Sequence, residues 1–252
     1  KYHTDASLAE AWIQPGVTFA TAAMPDPNQA AKGRIGMLLD VRRDRQLIDW
    51  FEFRNRALGE AIIHFGKFIK EQTGNKWLVG AYYGYHIELA ENNSLPLQTT
   101  GHNAFWEVAK SPYVDFVQAP SRYTYRKTGM ADAIMQPWDT FNFHGKGLYV
   151  EQDVRTAYGP AESGSMNCYV GRPSTGNESA GHLNRAFGMA LATGTMYYWF
   201  DISMGALYEK ALLDVLTEQQ KVYRELPPVR GTTPVEVAIV SDRDSIYATR
   251  TA

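Results

Sequence analysis

The sequence has a single cysteine, Cys168. That excludes an intrachain disulfide and any metal site built on cysteine pairs. It also lacks a run approaching the ~18 apolar residues that a membrane span needs. No secretory signal is visible, so the pattern favours a reducing, cytoplasmic compartment without fixing it. An excess of charge of one sign is missing too. There are 25 Lys and Arg against 27 Asp and Glu, a net charge of −2, with no basic stripe. Nucleic acid and anionic membranes are therefore not expected as partners. The six histidines show no ligand spacing: His64, His86, His102, His144 and His182 are isolated. No metal is expected from them, and no other cofactor is indicated.

Aromatic residues are plentiful: 15 Tyr, 11 Phe and 6 Trp in 252 residues. Most should pack the core, but a surplus at strand ends also suits flat ligands such as sugar rings. The chain is 44% hydrophobic and 21% charged, enough for one large domain or two small ones.

Residues 5–12 read as a short capped helix. The strongest helical signal covers 42–73. Leu47, Phe51, Leu58, Ile62, Phe65 and Ile69 recur at helical steps there, with Gly74 as the C-cap. Four strands follow at 77–83, 114–118, 147–151 and 195–200. Helices are expected at 102–109, 178–193 and 207–223. Apolar strands alternating with amphipathic helices predict an α/β fold with a parallel sheet. Short loops lead into the strands and long, functionally rich loops leave them. That asymmetry predicts a (β/α) TIM-type barrel with its site at the C-terminal strand ends. A doubly wound sheet shares the asymmetry, but no Gly-rich phosphate loop follows any strand. Leu226-Pro227-Pro228 should break the last helix, and 234–242 should form a further strand.

The stretch HGKGLYVEQDVRT (144–156) concentrates the chemistry. An apolar strand runs straight into Glu151 and Asp153, with Arg155 beside them. Such acids can simply be a solvated strand end. Glu151 ends a strand whose preceding residues should be buried, and Arg155 is near enough to hold it ionised, so it is the candidate reagent. Tyr83 and Tyr85 come from the first strand, with Glu88 beyond them. Arg122 and Tyr123 come from the second, Trp199 and Asp201 from the fourth. Trp199 could stack on a sugar or belong to the core; Asp201 could bind a hydroxyl or cap its loop. Asp153 reads as a partner of Arg155 or a hydroxyl binder. Carboxylates, aromatics and arginine at one mouth suit glycoside hydrolysis, which needs a nucleophile and a general acid. A metal-dependent hydrolase is the weaker reading, for want of a His pair at strand ends.

The order SPYVDFVQAPSRYTYR, PWDTFNFHGKGLYVEQDVRT, GTMYYWFD and VEVAIVSDRDS resembles the β-galactosidase-like proteins related to glycoside hydrolase family 42. The resemblance implies a retaining (β/α)8 barrel followed by a flavodoxin-like trimerisation domain. It implies that 1–228 is the C-terminal half of the barrel, strands five to eight. It also implies that 229–252 is a linker and the first strand of the second domain. Glu151 then falls on the nucleophile position, at the end of strand seven. The acid/base would be supplied from outside this segment, by the missing barrel half in the same longer protein or in another chain. A carbohydrate substrate and a homo-oligomer, possibly trimeric in that family's manner, are implied as partners. A different class is also open: a non-catalytic carbohydrate-binding or assembly subunit built on an incomplete barrel. A second carboxylate ~5 Å from Glu151 would separate the two.

Overall fold

The structure is a computed structural model that describes residues 1–26, 38–90, 97–159, 171–202, 205–226, 236–237 and 239–249. Cys168, Pro227, Pro228 and the 229–235 part of the expected linker lie outside the described residues.

The described elements run α1 (Asp5–Trp12), α2 (Arg45–Thr73), β1 (Gly80–Tyr82), α3 (His86–Ala90), α4 (Leu97–Thr100) and α5 (Phe105–Lys110). Then come β2 (Phe116–Pro120), α6 (Trp138–Phe143), β3 (Gly147–Gln152), α7 (Gly176–Thr193), β4 (Met196–Trp199) and α8 (Lys210–Glu225). A 3₁₀ helix, Asp244–Ala248, closes the described chain. The four strands form one parallel sheet in the order β1-β2-β3-β4, as the alternating pattern predicts.

One face of this sheet is packed under helices. Val117, Ala119, Leu148 and Val150 point there and are buried. Around them a core gathers Tyr83, Phe105, Val108, Val114 and Phe141. A second cluster joins Val154, Leu183, Leu207 and Leu212, with Trp199 packed against it. Burying each such side chain fully contributes roughly 1.5–3 kcal/mol. The opposite face of the sheet carries Tyr82, Phe116, Gln118, Tyr149, Met196 and Tyr198, all partly or well exposed.

Helix α2 starts three residues later than expected and ends at Gly74, in the left-handed conformation that suits glycine. Its buried line differs from the expected one. Leu58 and Phe65 are exposed, and the line runs instead through Leu47, Phe51, Asn55, Gly59, Gly66 and Lys70. The cause is close approach. A Cβ on Gly59 would stand 2.9 Å from the Ala104 side chain, and one on Gly66 would stand 2.6 Å from the Tyr113 carbonyl. The helix lies so near its neighbours that bulky residues do not fit the contact.

The expected strand at 234–242 is not seen in its described part. Residues 236–237 and 239–242 are not assigned to a strand, and Val237, Ile239 and Val240 are 78%, 94% and 92% exposed. A strand needs a hydrogen-bonded neighbour, and this segment has none among the described residues. The following 3₁₀ helix returns to the main body. Ile246, Tyr247 and Ala248 pack with Leu39, Leu47, Ile48 and Phe51.

Candidate active site

Side chains alternate along a strand, so register decides which of them meet. Pro120, Glu151 and Tyr198 are in register across β2, β3 and β4, and Tyr82 is in register with Gln118. Glu151, Tyr82, Gln118 and Tyr198 therefore share the open face, near the C-terminal strand ends.

The Glu151 carboxylate is nine-tenths buried. Its Oε2 accepts a hydrogen bond from the Tyr82 hydroxyl at 2.5 Å and another from the Tyr198 hydroxyl. Among the described residues Oε1 has no hydrogen-bond partner. The two phenol oxygens are 2.7 Å apart. Gln118 Nε2 donates to both, at 2.6 Å to Tyr82 and 2.5 Å to Tyr198. Burial, then donation to Glu151, raises both phenols above the ordinary tyrosine range. They stay protonated and remain donors.

Two residues beyond Glu151, Asp153 faces a different set of groups. Arg126 Nη2 stands 2.5 Å from its Oδ1, and Arg155 Nη1 donates to its backbone carbonyl at 2.7 Å. Arg155 thus serves Asp153, whereas the sequence suggested that it would hold Glu151. The strand β3 ends at Gln152, and beyond it the Arg155 guanidinium meets the Asp153 backbone carbonyl. Tyr123 Oη donates to Asp153 Oδ2 at 3.4 Å, and the Arg126 guanidinium lies over the Tyr123 ring at 4.2 Å. Burial and then the Asp153 charge push the Tyr123 phenol up to about 12. Arg126 also donates to the Ser121 carbonyl at the end of β2. It therefore ties β2 to the segment after β3.

Arg122 forms a buried pair with Glu88, Nε to Oε2 3.2 Å, and lies 4.7 Å from the Tyr125 ring centre. Tyr85 stacks on His102 at 4.4 Å. Its phenol is raised by burial and by the nearby Tyr82, Glu151, Tyr123 and Asp153. His102 is pushed down to about 4 by burial, and its Nδ1 accepts from the Gly84 and Tyr85 amides. It is a neutral ring that fixes the turn carrying Tyr85.

Three candidates stand away from this cluster. Tyr83 is fully buried on the helix-covered face, donating to the Gly101 carbonyl and accepting from the Ala104 amide. Trp199 also points to that face, against the Leu183 and Leu212 cluster. Strand alternation places both: Tyr83 leaves the site, Trp199 takes the core alternative, and each sits one residue from a tyrosine that does reach Glu151. Asp201 accepts from the Gly205 and Ala206 amides at 2.7 and 3.1 Å, so its carboxylate caps the following loop.

Tyr82, Tyr198, Gln118 and Arg126 were not singled out from the sequence. Gln118, a polar residue inside the apolar run VDFVQAP, carried a readable signal. Among the described residues no group of three or more His, Cys, Asp or Glu is placed to hold a metal ion.

Fold and site together define an α/β protein whose parallel sheet presents, near its C-terminal edge, a buried carboxylate held by two tyrosines. Compared with models of protein families, with curated proteins and with solved structures, the chain gives no match in any of the three.

Proposed function

We propose that this chain forms part of a retaining glycosidase acting on β-galactosides or related β-glycosides, with Glu151 as the nucleophile. The parallel sheet then corresponds to strands five to eight of a (β/α)8 barrel, and the open face to its interior. One observation carries the reading: both tyrosine hydroxyls converge on Oε2 of a buried carboxylate and leave Oε1 unengaged. A carboxylate so held keeps one oxygen fixed and the other available to attack an anomeric carbon. The two donors also suit the second step, when the carboxylate must depart from the glycosyl-enzyme.

In the first step Glu151 forms the bond to the anomeric carbon while a carboxylic acid protonates the leaving oxygen. In the second, that group's conjugate base takes a proton from water, which displaces Glu151. The acid/base comes from outside this segment. Asp153 is taken up by Arg126 and Arg155, and Glu88 by Arg122. Tyr85 and Tyr123 line the approach and bind sugar hydroxyls. The family resemblance adds a homo-oligomer, a trimer in that family's manner.

The test is Glu151→Gln in the intact protein. Hydrolysis of an aryl β-galactoside should fall by about a thousandfold or more, with the unfolding midpoint little changed. A fluorinated, slow-turnover β-galactoside should leave a covalent adduct on the peptide that contains Glu151. Retained hydrolysis, or an adduct elsewhere, overturns the assignment.

A further inference from the structure

We infer that Gln118 is a positioning residue, which sets the direction of two protons and so keeps both tyrosines donating to Glu151. The inference deepens the site reading above and rests on it.

A phenol has one proton to give, and its oxygen can also accept. Tyr82 and Tyr198 each lie within hydrogen-bond distance of Glu151, of Gln118 and of each other. Left alone, one tyrosine could donate to the other, and the carboxylate would lose a donor. Gln118 removes that choice. Its amide nitrogen carries two protons, one for each phenol oxygen. An oxygen that accepts from Gln118 turns its own proton elsewhere, and the strongest acceptor within reach is the carboxylate.

The reverse orientation of the amide is disfavoured by the same count. With its carbonyl toward the tyrosines, Gln118 would compete with Glu151 for their two protons. A carboxylate cannot donate, so nothing would compensate. The strand places the residue for this task. Gln118 is in register with Tyr82 and faces the same side as Tyr198, two strands away. Its neighbours Val117 and Ala119 are buried on the opposite face. A polar side chain therefore interrupts an apolar strand where two phenols and a carboxylate meet.

Gln118→Glu keeps the shape and replaces two donors by acceptors. It should draw the tyrosine protons away from Glu151. The expected result is an acidic limb of the kcat/KM profile moved to higher pH, with kcat falling about tenfold to a hundredfold and KM moving far less. Gln118→Met, which offers neither donor nor strong acceptor, should fall between parent and Gln118→Glu. A purely structural role would lower the unfolding midpoint and leave the pH profile in place, and that outcome overturns the inference.

A second measurement does not depend on turnover. In the parent protein the two side-chain amide protons of Gln118 should exchange slowly with solvent by NMR. Tyr82→Phe should release one of them and Tyr198→Phe the other. If neither substitution changes their exchange, Gln118 does not orient the tyrosines. If Glu151→Gln retains activity while the exchange results hold, the site reading fails and the hydrogen-bond assignment stands.

Discussion

Tyr82 and Tyr83 are adjacent in the chain and belong to opposite faces of one sheet. Tyr83 lies under α2 and α5 with both capacities of its hydroxyl used: it donates to Gly101 and accepts from Ala104. Tyr82 is half exposed, and among the described residues its hydroxyl bonds to side chains of its own face, Glu151, Gln118 and Tyr198. On the covered face polar groups close the structure by bonding to backbone. On the open face they bond to one another and leave a carboxylate oxygen over. The same residue type thus serves stability on one side and chemistry on the other, and a single step along the strand separates the two.

The sharpest way to break this division is at Asp153, which braces the strand ends behind Glu151. Asp153→Ala would leave the Arg126 guanidinium, 1% exposed, without its counter-charge. A loss of about 3–5 kcal/mol is expected in urea unfolding. A loss under about 1 kcal/mol would mean that Arg126 finds water or another acceptor.

The two tyrosines should give opposite phenotypes. Tyr83→Phe leaves the buried Ala104 amide without its acceptor. It should destabilise the fold by about 1–3 kcal/mol while sparing kcat. Tyr82→Phe removes one donor to the Glu151 carboxylate; it should cost about 1 kcal/mol of stability and, unlike Tyr83→Phe, move the acidic limb of the pH–rate profile upward. If both behave alike, the faces are not functionally distinct.

The smallest effect concerns the other end of the sheet. Asp115 accepts from the Val79 amide at 2.7 Å and pairs with Lys70 at 2.5 Å. Burial opposes ionisation, but the Lys70 bond, the Val79 amide and the Lys70 and Lys146 charges outweigh it and hold the carboxyl below its usual 3.8. A depressed value means that this stabilisation is present above about pH 4 and is lost as pH falls through the folded-state value. Asp115→Asn should flatten the acid end of the stability curve; an unchanged curve would show that Asp115 does not contribute to it.

Much of the fold was legible in the sequence. The alternation of apolar strands with amphipathic helices predicts the parallel sheet, and Gly74 marks the end of α2. Glu151 stands out because an apolar run ends on it. Its tyrosines did not, for a definite reason. YY occurs twice, at 82–83 and 197–198, and alternation says only that one of each pair faces the site. Which one depends on inter-strand register, which a single strand does not encode. Arg126 was hidden because the loop after β2 carries it back to Asp153 across sequence distance. The buried line of α2 departs from its hydrophobic periodicity because Gly59 and Gly66 make contact through small size, which periodicity does not register.

Val237, Ile239 and Val240 bring a practical consequence. Three exposed β-branched side chains so close in the chain offer an apolar patch through which molecules can associate. At high concentration such a stretch favours self-association, and sulfate should hasten it by strengthening apolar burial. Light scattering against concentration would reveal it. Val240→Lys should suppress the rise, and a rise that persists would locate the adhesive surface elsewhere.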